Sequence, residues 1–342
     1  MGGKTVEKIN TPIYVVEERH NPTTDYYIVP ALKVSGTIQN AVVLSKPPEK
    51  INKGATVIFV RYISDAWKNF VEQNKKKIRR IIYFMDDDLF NLKAIKELPL
   101  RYAFKIFSLA YIRKNWLIKN SAKFVVSNEH LQKKYSQLNP SVLPPYPIFH
   151  YNLSDSFHNE SENVLLFYYA SACHEREMIW LHDIIKEILR ESKNVSFEIT
   201  GGPRIVKLYN CLDGVKVIKP MKWKQYRSFL TERQKHIGLV PLLPSTFNKS
   251  RTYTKFFEIS ACGAVGVYFT KSCYSKVVRN MIDGLFIDNK KDQWIESILS
   301  LINDRKQRAT LYKNSLEKIN KLKKQTEIIY NNHFKHMLLG DL

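Results

Sequence analysis

The chain has 342 residues, with 54 Lys and Arg against 32 Asp and Glu, which gives a formal net charge of +22. Its 44% hydrophobic content excludes a disordered chain, and its low counts of glycine (12) and proline (14) exclude collagen-like and low-complexity classes. Both halves are basic, so we expect an anionic partner: nucleic acid, an anionic membrane or a phosphorylated substrate.

Short continuous apolar runs predict buried parallel strands, and the amphipathic stretches between them predict helices. In chain order the predicted strands are 13–16, 56–60, 81–85, 124–126, 164–169, 195–199, 215–218, 237–240, 264–269 and 285–287. The clearest predicted helices are 176–191, 255–262 and 293–302. This alternation is typical of βαβ units, and it predicts an α/β fold with two Rossmann-like, doubly wound domains facing a cleft.

A cluster of prolines followed by the polar segment 152–163 predicts a linker between the two domains. We therefore expect a first domain at 1–152, a second at 153–320, and a C-terminal helix or tail at 321–342. Packing of that tail on the first domain is one arrangement open to it.

The four cysteines form no C-x-x-C pair, which indicates a reducing compartment rather than a disulfide scaffold. Residues 1–10 contain no apolar signal-peptide core. The best apolar stretch, 98–118, is interrupted by four basic residues and cannot cheaply span a bilayer.

The most informative segment is NKSRTYTKFFEISACGAVG, residues 248–266. Lys255 falls in the first turn of a predicted helix, where the helix dipole disfavours a cation and a bound phosphate would remove the conflict. Glu258 lies three residues on, on the same helical face, and a carboxylate there can accept ribose hydroxyls. A solvated Lys–Glu pair on an ordinary helix is the alternative.

The run KFFEISACGAVGVYF, followed by DGLFIDN and a further helix, resembles the C-terminal half of GT-B glycosyltransferases. The similarity is closest to the large retaining "glycosyl transferases group 1" family. YYASACHEREM and FEITGG resemble the two preceding βα units of that family, so the resemblance covers about residues 57–314.

Carried over by position, the resemblance implies that Lys255 holds the donor diphosphate with Thr254 beside it, and that Glu258 holds the ribose. It also implies a donor site completed by Arg176, His174, Gly201, Gly202 and Met221. Ser250 stands where the family often has a glutamate against the donor sugar. The sequence therefore leaves the donor sugar open.

Two polar segments of the first domain are candidates for the acceptor side. Glu17 and His20 follow the first predicted strand and could meet an acceptor hydroxyl as catalytic groups, or form a plain surface loop. Asp86, Asp87 and Asp88 follow another strand. They resemble the motif by which GT-A glycosyltransferases hold Mn²⁺, but an acceptor-side role for Asp86 and Asp87 and a plain acidic helix start are both open.

Basic and aromatic residues alternate in 98–123. If this segment is one helix, Arg101, Lys105 and Lys119 share a face beside Trp116, which suits an anionic membrane surface. The alternative is an ordinary domain helix with a solvated basic face.

The sequence thus predicts a GT-B glycosyltransferase that moves sugar from a nucleotide-activated donor to a lipid-linked or polysaccharide acceptor, in bacterial-type surface glycan synthesis, with retention. The nucleotide sugar is a co-substrate, and neither cofactor nor metal is expected. The expected location is cytoplasmic, peripheral on the inner membrane face. The alternatives are a metal-dependent GT-A-type enzyme using Asp86–Asp88 and a basic nucleic-acid-binding protein, for which no zinc-finger or RNP pattern is present.

Overall fold

The computed structural model describes residues 11–151, 163–288 and 290–339. Contacts divide them into two compact units. The first unit contains residues 11–96, 103–146 and 324–339, and the second contains 97–102 and 147–323. Each unit is built around its own parallel sheet.

The first unit's sheet has six parallel strands in the order β2-β1-β3-β4-β5-β6. The strands are β1 Ile13–Val16, β2 Ala41–Leu44, β3 Ala55–Val60, β4 Ile78–Met85, β5 Lys123–Val126 and β6 Ser141–Val142. Every residue of β1 and β3 is buried, as expected for strands covered on both faces. The strand order reverses between β1 and β3.

The second unit's sheet also has six parallel strands, in the order β12-β11-β10-β7-β8-β9. The strands are β7 Val164–Tyr168, β8 Val195–Thr200, β9 Val215–Ile218, β10 Ile237–Val240, β11 Val265–Phe269 and β12 Leu285–Ile287. Read from β9, this is the strand order of a dinucleotide-binding Rossmann sheet, with the reversal between β7 and β10.

Helices connect the strands in both units. They are α1 Val29–Val34, α2 Asp65–Gln73, α3 Leu92–Lys96, α4 Leu100–Ile106, α5 Lys114–Asn120, α6 Glu129–Lys134, α7 Glu175–Glu191, α8 Pro203–Tyr209, α9 Trp223–Thr231, α10 Thr254–Ala261, α11 Lys291–Asn303, α12 Arg305–Ile329 and α13 Lys335–Leu339. π-helical turns occur at Thr24–Ile28, Phe107–Tyr111 and Tyr330–Phe334. None of the helices in the described ranges is both long enough and apolar enough to cross a bilayer.

Local sequence signals explain several helix starts. The Ser64 side chain accepts the backbone N–H of Trp67 at the start of α2, and Asn128 accepts that of Leu131 at the start of α6. Pro203 is the first residue of α8. A backbone N–H at this position makes no hydrogen bond within the helix, so proline, which lacks it, is tolerated there. In the second unit, α7 and α11 pack their apolar faces on the sheet, with Trp294 fully buried among aliphatic side chains.

The α/β fold with two doubly wound sheets is confirmed, and ten strands lie where the sequence predicts them, within three residues at each end. Strands β2 and β6 were missed: β2 is a half-exposed edge strand and β6 has only two residues, so neither carries a buried apolar run. Segment 98–123 is not the one helix that the membrane-patch interpretation assumed. It is split into α4, a π-helical turn and α5, which ends at Asn120.

The division into units differs from the predicted domain borders. The chain passes from the first unit to the second between Tyr146 and Pro147. Residues 152–162 of the predicted linker, 152–163, lie outside the described residues. Segment 97–102 joins the second unit, because the Glu97 carboxylate accepts the backbone N–H groups of Thr246 and Phe247 at 3.1 and 2.9 Å. The chain from Lys324 onward belongs with the first unit, where the Tyr330 hydroxyl donates to the Pro144 carbonyl at 2.6 Å.

Candidate functional site

The carboxyl edge of the second sheet is the candidate site of that unit. The loop after β7 and the loop after β10 both begin at this edge, beside the point where the strand order reverses. Open α/β sheets bind ligands at such points, because loop amides and helix starts converge there. The residues that the sequence assigned to donor binding follow these strands or their neighbours.

Three side chains form a hydrogen-bonded triangle at the start of α10. The Nζ atom of Lys255 donates to Oε2 of Glu258 at 2.5 Å and to the Tyr226 hydroxyl at 2.9 Å. That hydroxyl donates to the same Oε2 at 2.7 Å. Burial, helped by the Glu258 carboxylate, raises the pKa of Tyr226 well above its ordinary value, so the hydroxyl keeps its proton and remains a donor.

Lys255 is the second residue of α10, so the conflict with the helix dipole that the sequence predicted is present. The Glu258 carboxylate, one turn further on, offsets it in this structure. The pair is not the solvated one of the alternative interpretation, because the Glu258 side chain is 7% exposed and that of Lys255 25% exposed. A bound phosphate is therefore not required to explain this lysine, but would meet an ammonium that is already oriented.

The enclosed space beside the triangle is small. The cavity there has a volume of about 10 Å³, which holds about one water molecule. Its lining includes Tyr169, Leu239 and Ile259 besides the triangle. A nucleotide does not fit inside this cavity, so it would have to lie over the exposed part of Lys255.

A second group of polar side chains surrounds the start of α7. Cys173 Sγ accepts a hydrogen bond from Arg251 Nη2 at 3.0 Å and lies 3.0 Å from Ser171 Oγ. His174 Nδ1 lies 3.8 Å from Oε1 of Glu177. Burial alone would lower the pKa of His174, but the neighbouring thiolate raises it to about 9, so the imidazole is a cation at neutral pH.

The remaining residues that the sequence assigned to the donor site differ in solvent exposure. Arg176 is exposed in the first turn of α7, and Thr254 and Met221 are partly exposed. A side chain at Gly201 would collide with Ile205 at 2.4 Å, so helix packing already explains that glycine. At Gly202 a Cβ atom would meet nothing within 4 Å, which leaves space for a ligand.

Ser250, which replaces the glutamate of the resembled family, is fully buried, and its hydroxyl donates to the Phe247 carbonyl at 2.7 Å. It is therefore committed to the loop that leads into α10. The residues that sequence reasoning missed here are Tyr226 and Arg251. Tyr226 lies 32 residues before Glu258, and nothing in the local sequence around either residue signals their contact.

In the first unit, Glu17 and His20 occupy the loop after β1. Glu17 is buried and accepts the Asn21 amide at 3.0 Å; burial raises the pKa of its carboxyl, although a hydrogen bond from Thr24 opposes the shift. His20 is half exposed and lies 3.2 Å from both carboxylate oxygens of Asp25. An elevated carboxyl pKa suits a proton-transferring group, and the catalytic assignment of both residues stays a prediction.

The acidic run after β4 is bound by protein cations. Arg61 Nη2 lies 2.8 Å from Asp87, and its Nη1 lies 3.2 Å from Asp86. Asp88 is fully buried and accepts hydrogen bonds from Lys134 at 2.5 Å and from the Tyr135 hydroxyl at 2.6 Å. Within the described ranges, no three His, Cys, Asp or Glu side chains are grouped so that they could hold a metal ion.

The residues of the predicted membrane patch do not share one helix face. Arg101 and Lys105 are on α4, whereas Trp116 and Lys119 are on α5. Lys105 donates to Glu18 at 2.6 Å, and the Trp116 indole donates to Glu72 at 2.6 Å. Arg101 and Lys119 are exposed. The helix break explains the failure, because the predicted alignment assumed one uninterrupted helical period.

A larger cavity, of about 730 Å³, lies at the amino ends of the strands of the second sheet. It is lined by one face of α9 and by residues just before β10 and β11, including Lys224, Arg227, Arg233, Cys262 and Gly263. Because it adjoins the amino ends of the strands, it is separate from the edge that carries Lys255 and Glu258. The sequence predicted nothing there.

The fold is that of GT-B glycosyltransferases. The sequence itself matches no protein-family model and no curated protein. In structure, the chain is similar to HepE (Alr3699) of Anabaena, solved with UDP and glucose, with a TM-score of 0.60, 10% identity, and coverage of 97% of this chain and 100% of that one. Sucrose-phosphate synthase of Thermosynechococcus elongatus matches with a TM-score of 0.61, 12% identity and coverage of 97% and 100%. A glycosyltransferase of Rickettsia africae matches with a TM-score of 0.61 and 9% identity, and the match covers 97% of this chain and 99% of that one.

Proposed function

We propose that the protein transfers a glycosyl group from a nucleoside diphosphate sugar, and that Lys255 and Glu258 bind the nucleotide. The observation that carries the proposal is the oriented Lys255–Glu258 pair at the carboxyl edge of the second sheet, beside the strand reversal. A GT-B structure that holds UDP and glucose, the HepE complex, supports the choice of ligand class.

The chemistry of the two residues suits the two parts of such a donor. An ammonium at a helix start, where the helix dipole is positive, favours a diphosphate. A carboxylate accepts hydrogen bonds through two oxygens, so that of Glu258 suits ribose hydroxyls. The GT-B fold also supports a reaction without a metal ion, and the occupied carboxylates of Asp86, Asp87 and Asp88 speak against the GT-A alternative.

A lipid-linked or polysaccharide acceptor and a retaining outcome are the finer parts of the proposal. They rest on the sequence resemblance to the retaining group 1 family. The acceptor side is assigned to the first unit, with Glu17 and His20 as catalytic candidates and Asp86 and Asp87 near the acceptor.

Association with the inner face of an anionic membrane belongs to the same proposal, with a surface revised from the sequence prediction. Leu100 is 89% exposed and Phe104 72% exposed, one turn apart on α4. Arg101, which is also exposed, lies between them in the sequence. Exposed apolar side chains next to cations suit the interface of an anionic bilayer, where each cation contributes roughly 1 kcal/mol.

The direct test is binding of UDP, GDP, ADP, TDP and CMP to the full chain, measured by thermal shift and then by calorimetry. One nucleotide should raise the melting temperature, because a ligand at 100 times its Kd stabilises by about 2.7 kcal/mol. Hydrolysis or transfer of the corresponding nucleotide sugar should then release that same nucleotide. If none of the five binds at millimolar concentration, the proposal fails.

A further inference from the structure

We propose that Cys173 is a nucleophilic thiolate, and therefore a site for covalent modification by alkylating agents and by peroxides. Three features of the second unit place positive charge around its sulfur. They are the guanidinium of Arg251, the imidazole of His174 and the start of the 17-residue helix α7.

The contact geometry stabilises the ionised form of the sulfur. Arg251 Nη2 donates to Sγ at 3.0 Å, and Ser171 Oγ lies at the same distance. Cys173 sits in the short helical turn Ala172–His174 that leads directly into α7, where the helix dipole favours an anion. Cys173 as a residue is partly exposed, which suits access by a small reagent.

The titratable groups around this sulfur come from several elements. His174 belongs to the turn before α7, Glu177 to α7, and Arg251 to the loop before α10. Tyr168 of β7 is neutral, because burial raises its pKa well above the ordinary value. Burial alone would raise the pKa of Cys173, but the His174 and Arg251 cations lower it to about 6. Glu177 does not cancel the effect, since it lies beside His174 and accepts the Asn248 amide at 2.8 Å.

The other cysteines provide internal comparisons. Cys262 and Cys273 have pKa values raised to about 12 by burial, so they should be inert. Cys211 is exposed and serves as the accessible reference thiol. A difference in reactivity between Cys173 and Cys211 therefore reports the charges around Cys173 rather than access alone.

Both reactions are simple displacements. With iodoacetamide, the thiolate attacks the carbon that bears iodine, an S–C bond forms, the C–I bond breaks and iodide leaves. With hydrogen peroxide, the sulfur attacks one oxygen, the O–O bond breaks and hydroxide leaves. The sulfur is then oxidised to a sulfenic acid, and the peroxide is the reduced partner.

The test is the pH dependence of iodoacetamide labelling of the full chain between pH 5 and 9, with peptide mass spectrometry of each cysteine. At pH 5.5 Cys173 should label roughly tenfold faster than Cys211, because its larger thiolate fraction outweighs its lower intrinsic nucleophilicity. Its rate should reach half-maximum near pH 6. A Cys173 labelling rate that follows the rate of Cys211 over the whole pH range would overturn the proposal.

Two variants test the cause. Arg251→Gln should move the labelling curve of Cys173 to higher pH, whereas Arg251→Lys should move it less, and the Cys211 curve should stay unchanged in both. After peroxide treatment, dimedone should trap a sulfenic acid at Cys173 in preference to Cys211, and the Arg251→Gln variant should reduce that preference. A Cys173 curve that is identical in wild type and Arg251→Gln would contradict the role of the guanidinium.

The position of Cys173 also connects it to nucleotide binding, and this part rests on the proposed function. Cys173 lies in the loop after β7, next to the predicted phosphate-side residue His174, so the nucleotide that the thermal-shift test selects should protect it from labelling. Fast labelling without protection supports the thiolate and counts against the nucleotide site. Slow labelling in a chain that binds the selected nucleotide counts against the thiolate and supports the nucleotide site.

Discussion

The ammonium of Lys255 lies 2.5 Å from a carboxylate oxygen of Glu258, one turn further along α10. The lysine is thereby held at the helix start without a bound anion. This pairing lowers the cost of keeping a cation near the positive end of the helix dipole. It also orients both groups at the edge where the proposed donor would bind.

Replacing Lys255 with alanine should weaken binding of both inorganic pyrophosphate and the nucleotide that the thermal-shift test selects. A hydrogen bond to a charged group contributes about 1.5–3 kcal/mol, so Kd should rise roughly 10- to 150-fold by calorimetry. Lys249→Ala is the matched control, because Lys249 is an exposed lysine of the same loop region. Equal losses in the two variants would mean that the effect is general charge attraction.

Replacing Glu258 with glutamine should weaken binding of the selected nucleotide about tenfold while leaving pyrophosphate binding nearly unchanged. The amide keeps the shape of the side chain but removes the charged acceptor proposed for the ribose. Calorimetry with both ligands separates this role from that of Lys255. Far-UV circular dichroism should show an intact fold, and a parallel loss of pyrophosphate binding would refute the separate roles.

The stability of the second unit should fall as the pH drops from about 6.5 to 4. The Nδ1 atom of His236 accepts the Leu165 backbone N–H at 2.9 Å, and burial, helped by Arg308, lowers the pKa of this histidine to about 4. The ring is therefore neutral in the folded state, whereas the unfolded chain binds a proton below pH 6.5. The stability that this group contributes is full above pH 6.5 and is lost toward pH 4, with a cost of about 2 kcal/mol after allowance for solvent screening.

Urea unfolding at pH 4.5 and 7.5 measures this effect. His236→Asn can keep an acceptor for Leu165 but cannot titrate, so its two midpoints should differ less than those of the wild type. His333→Asn, in the first unit and exposed, is the control. Identical pH dependence in wild type and His236→Asn would exclude His236 as the source.

Replacing Asp88 with alanine should destabilise the first unit by about 1–3 kcal/mol, because the buried Tyr135 hydroxyl would lose its acceptor, whereas the exposed Lys134 can turn to solvent. Denaturant unfolding measures the loss. Asp65→Ala is a control, since that carboxylate is 73% exposed and its pair with Arg113 should contribute less than 1 kcal/mol. Activity should also persist in EDTA; its abolition, with recovery on adding Mn²⁺, would restore the metal-dependent alternative.

Replacing Leu100 and Phe104 together with serine should reduce binding to vesicles that contain anionic lipid, because about 3 kcal/mol or more of apolar transfer free energy is removed. Co-sedimentation with vesicles measures the change. Replacing Met281 and Ile282, which are also exposed, with serine is the control, and it should leave vesicle binding unchanged. The double serine variant should keep nucleotide binding, and vesicle binding equal to wild type would eliminate α4 as the membrane surface.

Much of the fold could be read from the sequence, because strands covered on both faces leave continuous apolar runs such as 56–60. The exceptions have physical reasons. The edge strand β2 faces solvent in part, and its register is set by pairing with β1 rather than by burial. The break between α4 and α5 was missed because the apolar residues continue through the π-helical turn.

The candidate site was predicted less completely. The positions of Lys255 and Glu258 on one helix follow from their spacing, but their partner Tyr226 comes from α9, and Arg251 meets Cys173 from 78 residues away. Side chains that converge from separate βα units leave no periodic signal in the chain. For the same reason the sequence could not decide whether Asp86–Asp88 faced an ion or a protein cation such as Arg61.

The sequence by itself determined the class of fold, the two basic halves and the lysine at the start of α10. Those properties depend on burial patterns, composition and helical spacing, which are local. Only the tertiary structure decided that Glu258 is shared by Lys255 and Tyr226, that Arg61 occupies the acidic run, and that Cys173 is surrounded by cations. These pairings arise because parallel strands bring the loops at their carboxyl ends together. The strand order decides which loops become neighbours, and no single segment of the sequence determines that order.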